Sequence, residues 1–359
     1  MSLLISEDAI KRSPKVLLHD HLDGGLRATS MVEMAEECGY TKLPSHDPEV
    51  LAQWYWDSCN DGSLELYLET FEHTISLMQT REQIIRVARE AALDLARDGV
   101  VYAEVRGAPE LFTRKGLTLQ QVIEATDEGF AQGMQEAERE GNKIIVGNIL
   151  CALRQNQVSF EVAQEVVRYR DKGVCGFDIA GPEDGFPPTD HIKAFKYLEE
   201  NGAHFTIHAG EAFGIESISL ALRDCHAQRI GHGIRLIDDI SFDGDKAILG
   251  SLAKEILERQ IPLEMAPTSN LQTGGAKSYA THQIGVMKKL GFKVTINTDN
   301  RLMSRTSMSN EIKNISEGYS WSLQDLEDVA LNGIDGAFTT PDVKEEISRE
   351  IRNRFKALS

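Results

Sequence analysis

The 359-residue chain lacks the features that mark nucleic-acid-binding and membrane-spanning proteins. It has no cluster of Lys and Arg: acidic residues outnumber basic residues by 56 to 38, and the net charge is −18. Because a nucleic-acid-binding surface must neutralise phosphates, we expect no nucleic-acid partner. No run of roughly 18 apolar residues occurs, so we expect no transmembrane helix. The acidic balance favours a small neutral or cationic substrate.

Paired cysteines are also lacking. The five cysteines are widely spaced and no CxxC motif occurs, which is typical of free thiols in a reducing compartment. The opening stretch MSLLISEDAIKRSPK has no long apolar core behind a basic end, so no secretory signal is expected. These observations predict a cytoplasmic protein.

Short apolar runs alternate along the chain with longer segments of helical periodicity. Eight runs are predicted strands: 15–21, 100–106, 143–150, 174–180, 204–210, 228–233, 261–267 and 293–299. Most are continuously apolar, as expected for strands buried on both faces of a parallel sheet. Helices are predicted between them, at 81–99, 118–141, 158–173 and 189–202.

Eight successive β–α units predict an α/β fold, a (β/α)8 TIM barrel, with residues 1–359 as one domain. An open doubly wound sheet is the alternative, but no GxGxxG follows the first strand. Residues 26–99, between the first two strands, are longer than one crossover helix requires. Segment 54–78 is rich in aromatic and aliphatic residues, and we expect inserted helices to form a lid above the site. An extra packing helix is the alternative interpretation.

Polar residues stand at the predicted strand ends, where a barrel concentrates its chemistry. In LLHDHLDGG (17–25), His19 and His21 are two positions apart, so both face the same side of a strand. His208, His232 and Asp299 stand at three later strand ends. Imidazole plus carboxylate suits Zn²⁺, with one position left open for water. The pattern therefore predicts a catalytic metal site, with His208 and Asp299 as the third and fourth protein ligands.

Two of the remaining polar residues have roles in acid–base chemistry. His232 would orient a metal-activated water and act as general base, and Glu211, three residues after His208, would donate a proton. A buried, hydrogen-bonded imidazole is the structural alternative for His232. An acid at a helix N-terminus is the alternative for Glu211. Asp20 faces the opposite side of the strand and is expected to be structural.

Seven motifs resemble the adenosine deaminase family of the metal-dependent amidohydrolase superfamily. They follow the family's order: HDHLDGG (19–25), YAEVRGAPEL (102–111), DIAGPE (178–183), TIHAGE (206–211), RIGHG (229–233), PTSNLQTG (267–274) and INTDN (296–300). The HxE and PCxxC signature of cytidine-type zinc deaminases is absent.

The resemblance implies a role for each matching residue. It implies one Zn²⁺ per subunit held by four ligands, which are His19, His21, His208 and Asp299. It further implies that Glu211 protonates purine N1 and that His232 activates or holds the zinc-bound hydroxide that attacks C6. Asp23 would contact the ribose end of the nucleoside, and the Gly181 backbone would meet N3.

The resemblance also implies residues around the pocket. Arg106 and Asp178 would fix the mouth without touching substrate. Four residues with helical spacing would form a hydrophobic gate: Leu64, Tyr67, Leu68 and Phe71. The buried face of a helix would give the same spacing.

The sequence departs from the family's usual pattern in several places. Asn300 stands where the family usually has a second Asp, whose protonated carboxyl donates to purine N7. An amide donates the same bond without a raised pKa, so we expect activity to survive, although specificity is in doubt. DGGLR and AGPE differ from the commoner DGA or DGS and AGDE forms, and residues 236–250 look like a loop insertion.

The implied activity is zinc-dependent hydrolytic deamination of adenosine and 2′-deoxyadenosine to inosine and 2′-deoxyinosine, with release of ammonia, as in purine salvage. The enzymatic alternative is another 6-aminopurine, either adenine or an aminodeoxyfutalosine-like nucleoside. A non-catalytic nucleoside-binding barrel is disfavoured, because all the implied metal ligands and acid–base residues are present. A two-metal amidohydrolase would need a bridging Lys at strand 4, where the sequence has FDIAG. The expected partner is a small purine nucleoside; the oligomeric state is left open.

Overall fold

Eight parallel strands form the wall of a barrel in the computed structural model, which describes residues 5–60, 67 and 70–358. The strands of the wall are β1 (Lys15–His21), β2 (Val100–Gly107), β3 (Ile145–Leu153), β4 (Val174–Ala180), β5 (Thr206–Ala209), β6 (Arg229–His232), β9 (Leu263–Met265) and β10 (Val294–Ile296). They pair in two arcs, β1-β2-β3-β4 and β5-β6-β9-β10.

Two parallel bridges join the arcs into a closed barrel. Phe177 in β4 pairs with Phe205, the residue just before β5. Asp20 pairs with Asp299 between β1 and the turn after β10. At this second bridge, the His21 N–H donates to the Asp299 carbonyl at 2.7 Å, and the Asp299 N–H donates to the His19 carbonyl at 3.0 Å. The predicted (β/α)8 barrel is therefore confirmed.

The helices surround this wall. The α-helices are Glu7–Arg12, Ala28–Cys38, Pro48–Cys59, Phe71–Ser76, Arg81–Arg97, Leu119–Arg139, Ser159–Tyr169, Ile192–Glu200, Ile215–Ser219, Ser251–Arg259, Pro267–Gln272, Gln283–Lys289, Met308–Tyr319, Leu323–Gly336 and Pro341–Leu358. Short 3₁₀ turns occur at Leu22–Gly24, Pro109–Phe112, Pro188–His191, Ile234–Asp239 and Tyr279–Thr281, and a π-helical turn at Leu220–Asp224.

Local sequence signals set where the two longest of the predicted barrel helices begin. Thr80 and Gln83 form a capping box at the start of Arg81–Arg97, and Thr118 and Gln121 form another before Leu119–Arg139. Each box satisfies backbone N–H groups that have no partner within the helix. The inner faces of these helices pack on the apolar strands, whose residues are almost all buried from β1 to β4.

The insertion between β1 and β2 contains extra helices, as the sequence predicts. Ala28–Cys38, Pro48–Cys59 and Phe71–Ser76 precede the barrel helix Arg81–Arg97. The predicted gate residues Leu64 and Leu68 lie outside the described residues. Across the described part of the chain, no helix is both long and apolar enough to span a membrane.

Two local predictions are revised by the structure. Residues 236–250, expected as a loop insertion, contain the end of a 3₁₀ turn and an antiparallel hairpin of β7 (Ile240–Asp243) and β8 (Lys246–Leu249). The last two wall strands are only three residues long instead of seven. After β9 the chain enters the helix Pro267–Gln272, and after β10 it turns inward so that Asp299 faces the barrel mouth.

Candidate active site

The carboxyl ends of the strands open onto a pocket of about 250 Å³. Ten residues singled out from the sequence line it: His21, Asp23, Tyr67, Phe71, Gly181, His208, Glu211, His232, Asp299 and Asn300. Three others, His19, Arg106 and Asp178, are fully buried behind the lining. The strand ends therefore bring the predicted residues together, apart from the two gate leucines that are not described.

Imidazoles and a carboxylate converge at the base of this pocket. One ligand atom from each of His19, His208, His232 and Asp299 can be chosen so that all lie within 4.8 Å of one another. His21 adjoins the group, with its Nε2 3.2 Å from Nε2 of His208 and 3.4 Å from Oδ1 of Asp299. This cluster can hold one metal ion.

Buried carboxylates behind the cluster orient two of the imidazoles. His19 donates from Nδ1 to Glu264 at 3.0 Å, and His208 Nδ1 lies 2.9 Å from Asp178. Arg106 joins both carboxylates, donating to Asp178 at 2.6 Å and to Glu264 at 2.9 Å. These contacts place the proton of each imidazole on Nδ1, so the Nε2 lone pairs point into the cluster.

The donor set fits a divalent cation. Nε2 of His19 is buried without a hydrogen-bond partner and lies 3.3 Å from Oδ1 of Asp299. Nε2 atoms of His21 and His208 face each other at 3.2 Å. Because the His19 proton is on Nδ1, its Nε2 lone pair faces the Asp299 carboxylate, and the two repel unless a cation lies between them. Burial lowers the pKa of His19 to about 4, which keeps it in the neutral form that binds metals.

His232 is oriented from the opposite direction by a chain of hydrogen bonds. The Ile284 N–H donates to Nδ1 of His282 at 3.1 Å, so the His282 proton is on Nε2. That nitrogen faces Oδ1 of Asn270 at 3.2 Å, which leaves the Asn270 amide nitrogen facing Nδ1 of His232 at 3.0 Å. The network therefore assigns the proton of neutral His232 to Nε2.

Glu211 faces this proton. Its Oε2 lies 3.5 Å from Nε2 of His232, and its side chain is largely buried on the pocket wall. Burial raises the pKa of Glu211, although the neighbouring His232 opposes the shift. A carboxyl group with a raised pKa beside a pocket is suited to donating a proton at neutral pH.

Two of these functional residues occupy strained backbone positions. His232 and Asp299 both have left-handed conformations, with φ of 60° and 57°. Residues other than glycine rarely adopt such angles, at a cost of roughly 1–3 kcal/mol each. Here the turn directs both side chains inward at the end of a strand, and Ser269 holds the Asp299 carboxylate at 2.6 Å.

The opposite wall carries Asp23 and Asn300. Burial raises the pKa of Asp23 to about 7. Asn300 lies against Gly24, where an added Cβ would stand 1.9 Å from the Asn300 side-chain oxygen. Gly24 therefore gives Asn300 room to face the pocket. Asp20 points away, as predicted, and accepts bonds from Thr298 at 2.7 Å and Arg301 at 3.0 Å.

Four residues close to the site were missed by sequence reasoning as functional candidates. These are Glu264, His282, Glu183 and Cys151, the last of which lines the pocket. A signal existed for Glu264, because a Glu in the middle of the apolar run IPLEMAP is costly to bury without a partner. His282 is seventeen residues beyond Met265, the end of β9, and carried no comparable signal.

A closed parallel barrel with a His and Asp cluster at its carboxyl end defines the class of metal-dependent amidohydrolases. The chain belongs to the adenosine deaminase family, whose model, described as Adenosine deaminase, matches residues 14–354.

Individual relatives agree with this assignment. The chain is similar to adenosine deaminase 1 of Streptomyces coelicolor, with 54% identity covering 93% of this chain and 84% of the relative. It is also similar to adenosine deaminase of Mycolicibacterium vanbaalenii, with 48% identity covering 100% and 99%. The fold matches the adenine deaminase structure from Arthrobacter aurescens with a TM-score of 0.82 at 24% identity, covering 96% of this chain and 99% of that one.

Proposed function

We propose that this protein catalyses the hydrolytic deamination of adenosine and 2′-deoxyadenosine. Water adds its oxygen to C6 of the purine, the C6–N6 bond breaks, and ammonia leaves, which gives inosine or 2′-deoxyinosine. The observation that carries the proposal is that Glu211 lies 3.5 Å from His232, which belongs to the His and Asp cluster of the same pocket. The names of the relatives support adenosine as the substrate.

We propose that His19, His21, His208 and Asp299 hold one Zn²⁺ per subunit. The hydrogen-bond chain supports the choice of His21 over His232, because neutral His232 carries its proton on the nitrogen that faces the pocket. Bound there, the metal would supply Lewis acidity that makes a water molecule nucleophilic near neutral pH. Arg106, Asp178 and Glu264 would keep the ligand imidazoles in the required orientation.

Acid–base steps fall to the two residues on the pocket wall. Glu211 would donate its proton to purine N1, which interrupts ring aromaticity and makes C6 electrophilic. His232, with its proton on Nε2, would orient the attacking water by donating to its oxygen. His232 keeps its own proton throughout. Of the two protons that the water loses, one would pass to the departing amine, which leaves as ammonia, and the other would restore the Glu211 carboxyl. Asn300 would donate from its amide to purine N7.

The pocket favours nucleosides over nucleotides. Among its described lining residues none is Lys or Arg, and residues 61–69 contain none in the sequence. Binding of a phosphate usually requires Arg, Lys or a helix N-terminus. Asp23, on the wall assigned to ribose, would instead repel a phosphate and accept hydrogen bonds from sugar hydroxyls. Gly181 and the gate residues Tyr67 and Phe71 would enclose the base.

The test is a comparison of four substrates with the purified protein: adenosine, 2′-deoxyadenosine, AMP and adenine. Deamination is followed by the change in ultraviolet absorbance, and metal content is measured on the same sample. We expect turnover of both nucleosides, little turnover of AMP, and about one zinc per chain. If adenosine is inert while adenine or a bulkier aminopurine nucleoside reacts, the proposed substrate is wrong. We further propose a cytoplasmic location, supported by the scattered cysteines.

A further inference from the structure

A buried carboxylate outside the pocket holds the loop that carries Glu211. Glu183, in the loop after β4, is 6% exposed and does not line the pocket. Its two oxygens accept three successive backbone N–H groups: Gly210 at 2.9 Å, Glu211 at 2.8 Å and Ala212 at 3.1 Å. Three donors on one carboxylate fix the backbone of all three residues at once.

The loop needs this support because it has little of its own. β5 ends at Ala209 and the next helix begins at Ile215, so residues 210–214 belong to neither element. Gly210 has a φ of 70°, and a Cβ there would lie 2.4 Å from Cδ1 of Ile218. The loop therefore takes one tight path, and its N–H groups point towards the β4 loop instead of along a helix.

Arg154 secures the same junction from its other side. This fully buried residue donates to the carbonyl of His208 and, at 3.0 Å, to the carbonyl of Phe186. Glu183 and Arg154 thus connect the β4 loop to the backbone on both sides of Gly210. A shift of the β4 loop would move Glu211 relative to His232, which lies 3.5 Å away.

We infer that Glu183 is a positioning residue for the deamination reaction, acting through the backbone of residues 210–212 to aim the carboxyl of Glu211. The inference rests on the proposed function, since it gives Glu211 its task as proton donor. Removing Glu183 leaves three buried or partly buried N–H groups without an acceptor and lets the loop relax. Because general acid catalysis requires the proton within hydrogen-bond reach, the chemical step should slow more than substrate binding weakens.

The test compares Glu183→Ala and Glu183→Gln with wild type. The amide that Glu183→Gln introduces can replace only part of the carboxylate, since its NH₂ group would face an N–H donor. We expect Glu183→Ala to lower kcat about 100-fold, as for a small misplacement of a reacting group, with KM for adenosine changed less than about 3-fold. The kcat of Glu183→Gln should lie between those of wild type and Glu183→Ala. Hydrogen exchange at the Gly210, Glu211 and Ala212 amides should be faster in both variants.

Asp239→Ala is the matched control. The Asp239 carboxylate accepts the Ala253 N–H at 2.8 Å at the start of the helix Ser251–Arg259, and Asp239 does not line the pocket. This variant should lose stability while keeping kcat and the protection of residues 210–212. The inference is overturned if Glu183→Ala keeps its kcat, or if its loss of activity is matched by loss of metal or by the control. Inactive wild type on adenosine would instead refute the proposed function, and unchanged amide exchange in Glu183→Ala would still overturn this inference.

Discussion

The side-chain nitrogen of Asn270 lies 3.0 Å from Nδ1 of His232, and this contact determines which imidazole nitrogen presents a proton to Glu211. The orientation of Asn270 is in turn set by His282, whose own tautomer is set by a backbone N–H. The His232 imidazole is therefore oriented from the main-chain N–H of Ile284, more than fifty residues away in sequence. Each residue in this series of hydrogen bonds can be tested by its own substitution.

Loss of His282 should affect catalysis although it does not line the pocket. In His282→Ala the Asn270 amide is free to flip and present its oxygen to His232, which would move the His232 proton to Nδ1. We expect kcat to fall about 10- to 100-fold, the range typical of removing a residue that orients a functional group. Asn270→Ala should give a similar loss. The double variant should be little worse than either single variant, because both changes break one chain; additive losses would contradict this account.

Glu211→Gln should nearly abolish turnover while leaving the fold and metal content unchanged. The amide has the same shape, but its N–H protons are not acidic enough to be transferred to purine N1, and general acid catalysis contributes about 10²- to 10⁴-fold. Steady-state kinetics gives the loss in kcat, and inosine titration checks that the pocket still binds its product. Retained turnover would mean that another group protonates the purine.

Glu264→Gln should weaken metal binding. The carboxylate accepts the Nδ1 proton of His19 and also pairs with Arg106 and Arg229, so its charge stabilises the proposed metal ligand His19 from behind. Outer carboxylates of this kind typically contribute about 10- to 100-fold in metal affinity. Competition with a chelator measures the change. Glu90→Gln removes a buried carboxylate that also pairs with an Arg, and its metal affinity should match wild type.

Asn300→Asp should make activity fall as the pH rises. Asn300 lines the pocket next to Asp299 in sequence and can donate from its amide at any pH. An Asp in its place would donate only when protonated, so raising the pH above the pKa of that new carboxyl removes the bond to purine N7. The ratio of variant to wild-type kcat/KM, measured across pH, should therefore decrease with increasing pH. A constant ratio would exclude a donor role at this position.

Stability should depend on the titration of Glu311. This buried carboxyl accepts the Thr268 N–H at 3.0 Å, and burial raises its pKa from 4.5 to about 7. The folded state then binds the proton more tightly than the unfolded state, so the free energy of unfolding decreases as the pH rises from 4.5 to 7. The shift corresponds to about 3 kcal/mol.

Glu311→Gln should remove this loss of stability at higher pH. Its amide can accept from the Thr268 N–H and donate to the Thr306 hydroxyl without ionising. Denaturant unfolding should show the variant gaining stability relative to wild type as the pH is raised from about 5 to about 8. Glu317→Gln, exposed on the same helix Met308–Tyr319, controls for the loss of one surface carboxylate. A difference between Glu311→Gln and wild type that does not vary with pH would contradict the prediction.

The barrel was predictable because its strands are buried on both faces and therefore appear as apolar runs. β1 matches its predicted range, and β2 and β4 match within one residue. The last two strands are shorter than predicted because the apolar run continues into turns. In these turns the backbone conformation depends on tertiary contacts of the side chains: Asp299, for example, is left-handed and its carboxylate accepts a hydrogen bond from Ser269. The apolar composition of a segment does not predict where such a turn begins.

The candidate site likewise contains residues that the sequence predicts and residues that it does not. Residues at strand ends, such as His208 and Glu211, follow from the topology, since parallel strands deliver their ends to one mouth. Residues that arrive from loops do not: His282 and Glu183 reach the site through tertiary contacts that no sequence spacing encodes. The hairpin at Ile240–Leu249 was missed because its strands are largely exposed and lack the continuous apolar run that marks the wall strands.

The seam between β1 and the turn after β10 has a consequence for the order of events during synthesis. His19, His21 and Asp299 meet only where the first and last wall strands are joined, through the pair of backbone bonds between them. Until residue 299 has been synthesised, a nascent chain contains only two of these three proposed metal ligands and lacks the turn that faces them. Metal capture is therefore expected late, after the barrel closes, so zinc should slow unfolding without accelerating the early steps of refolding.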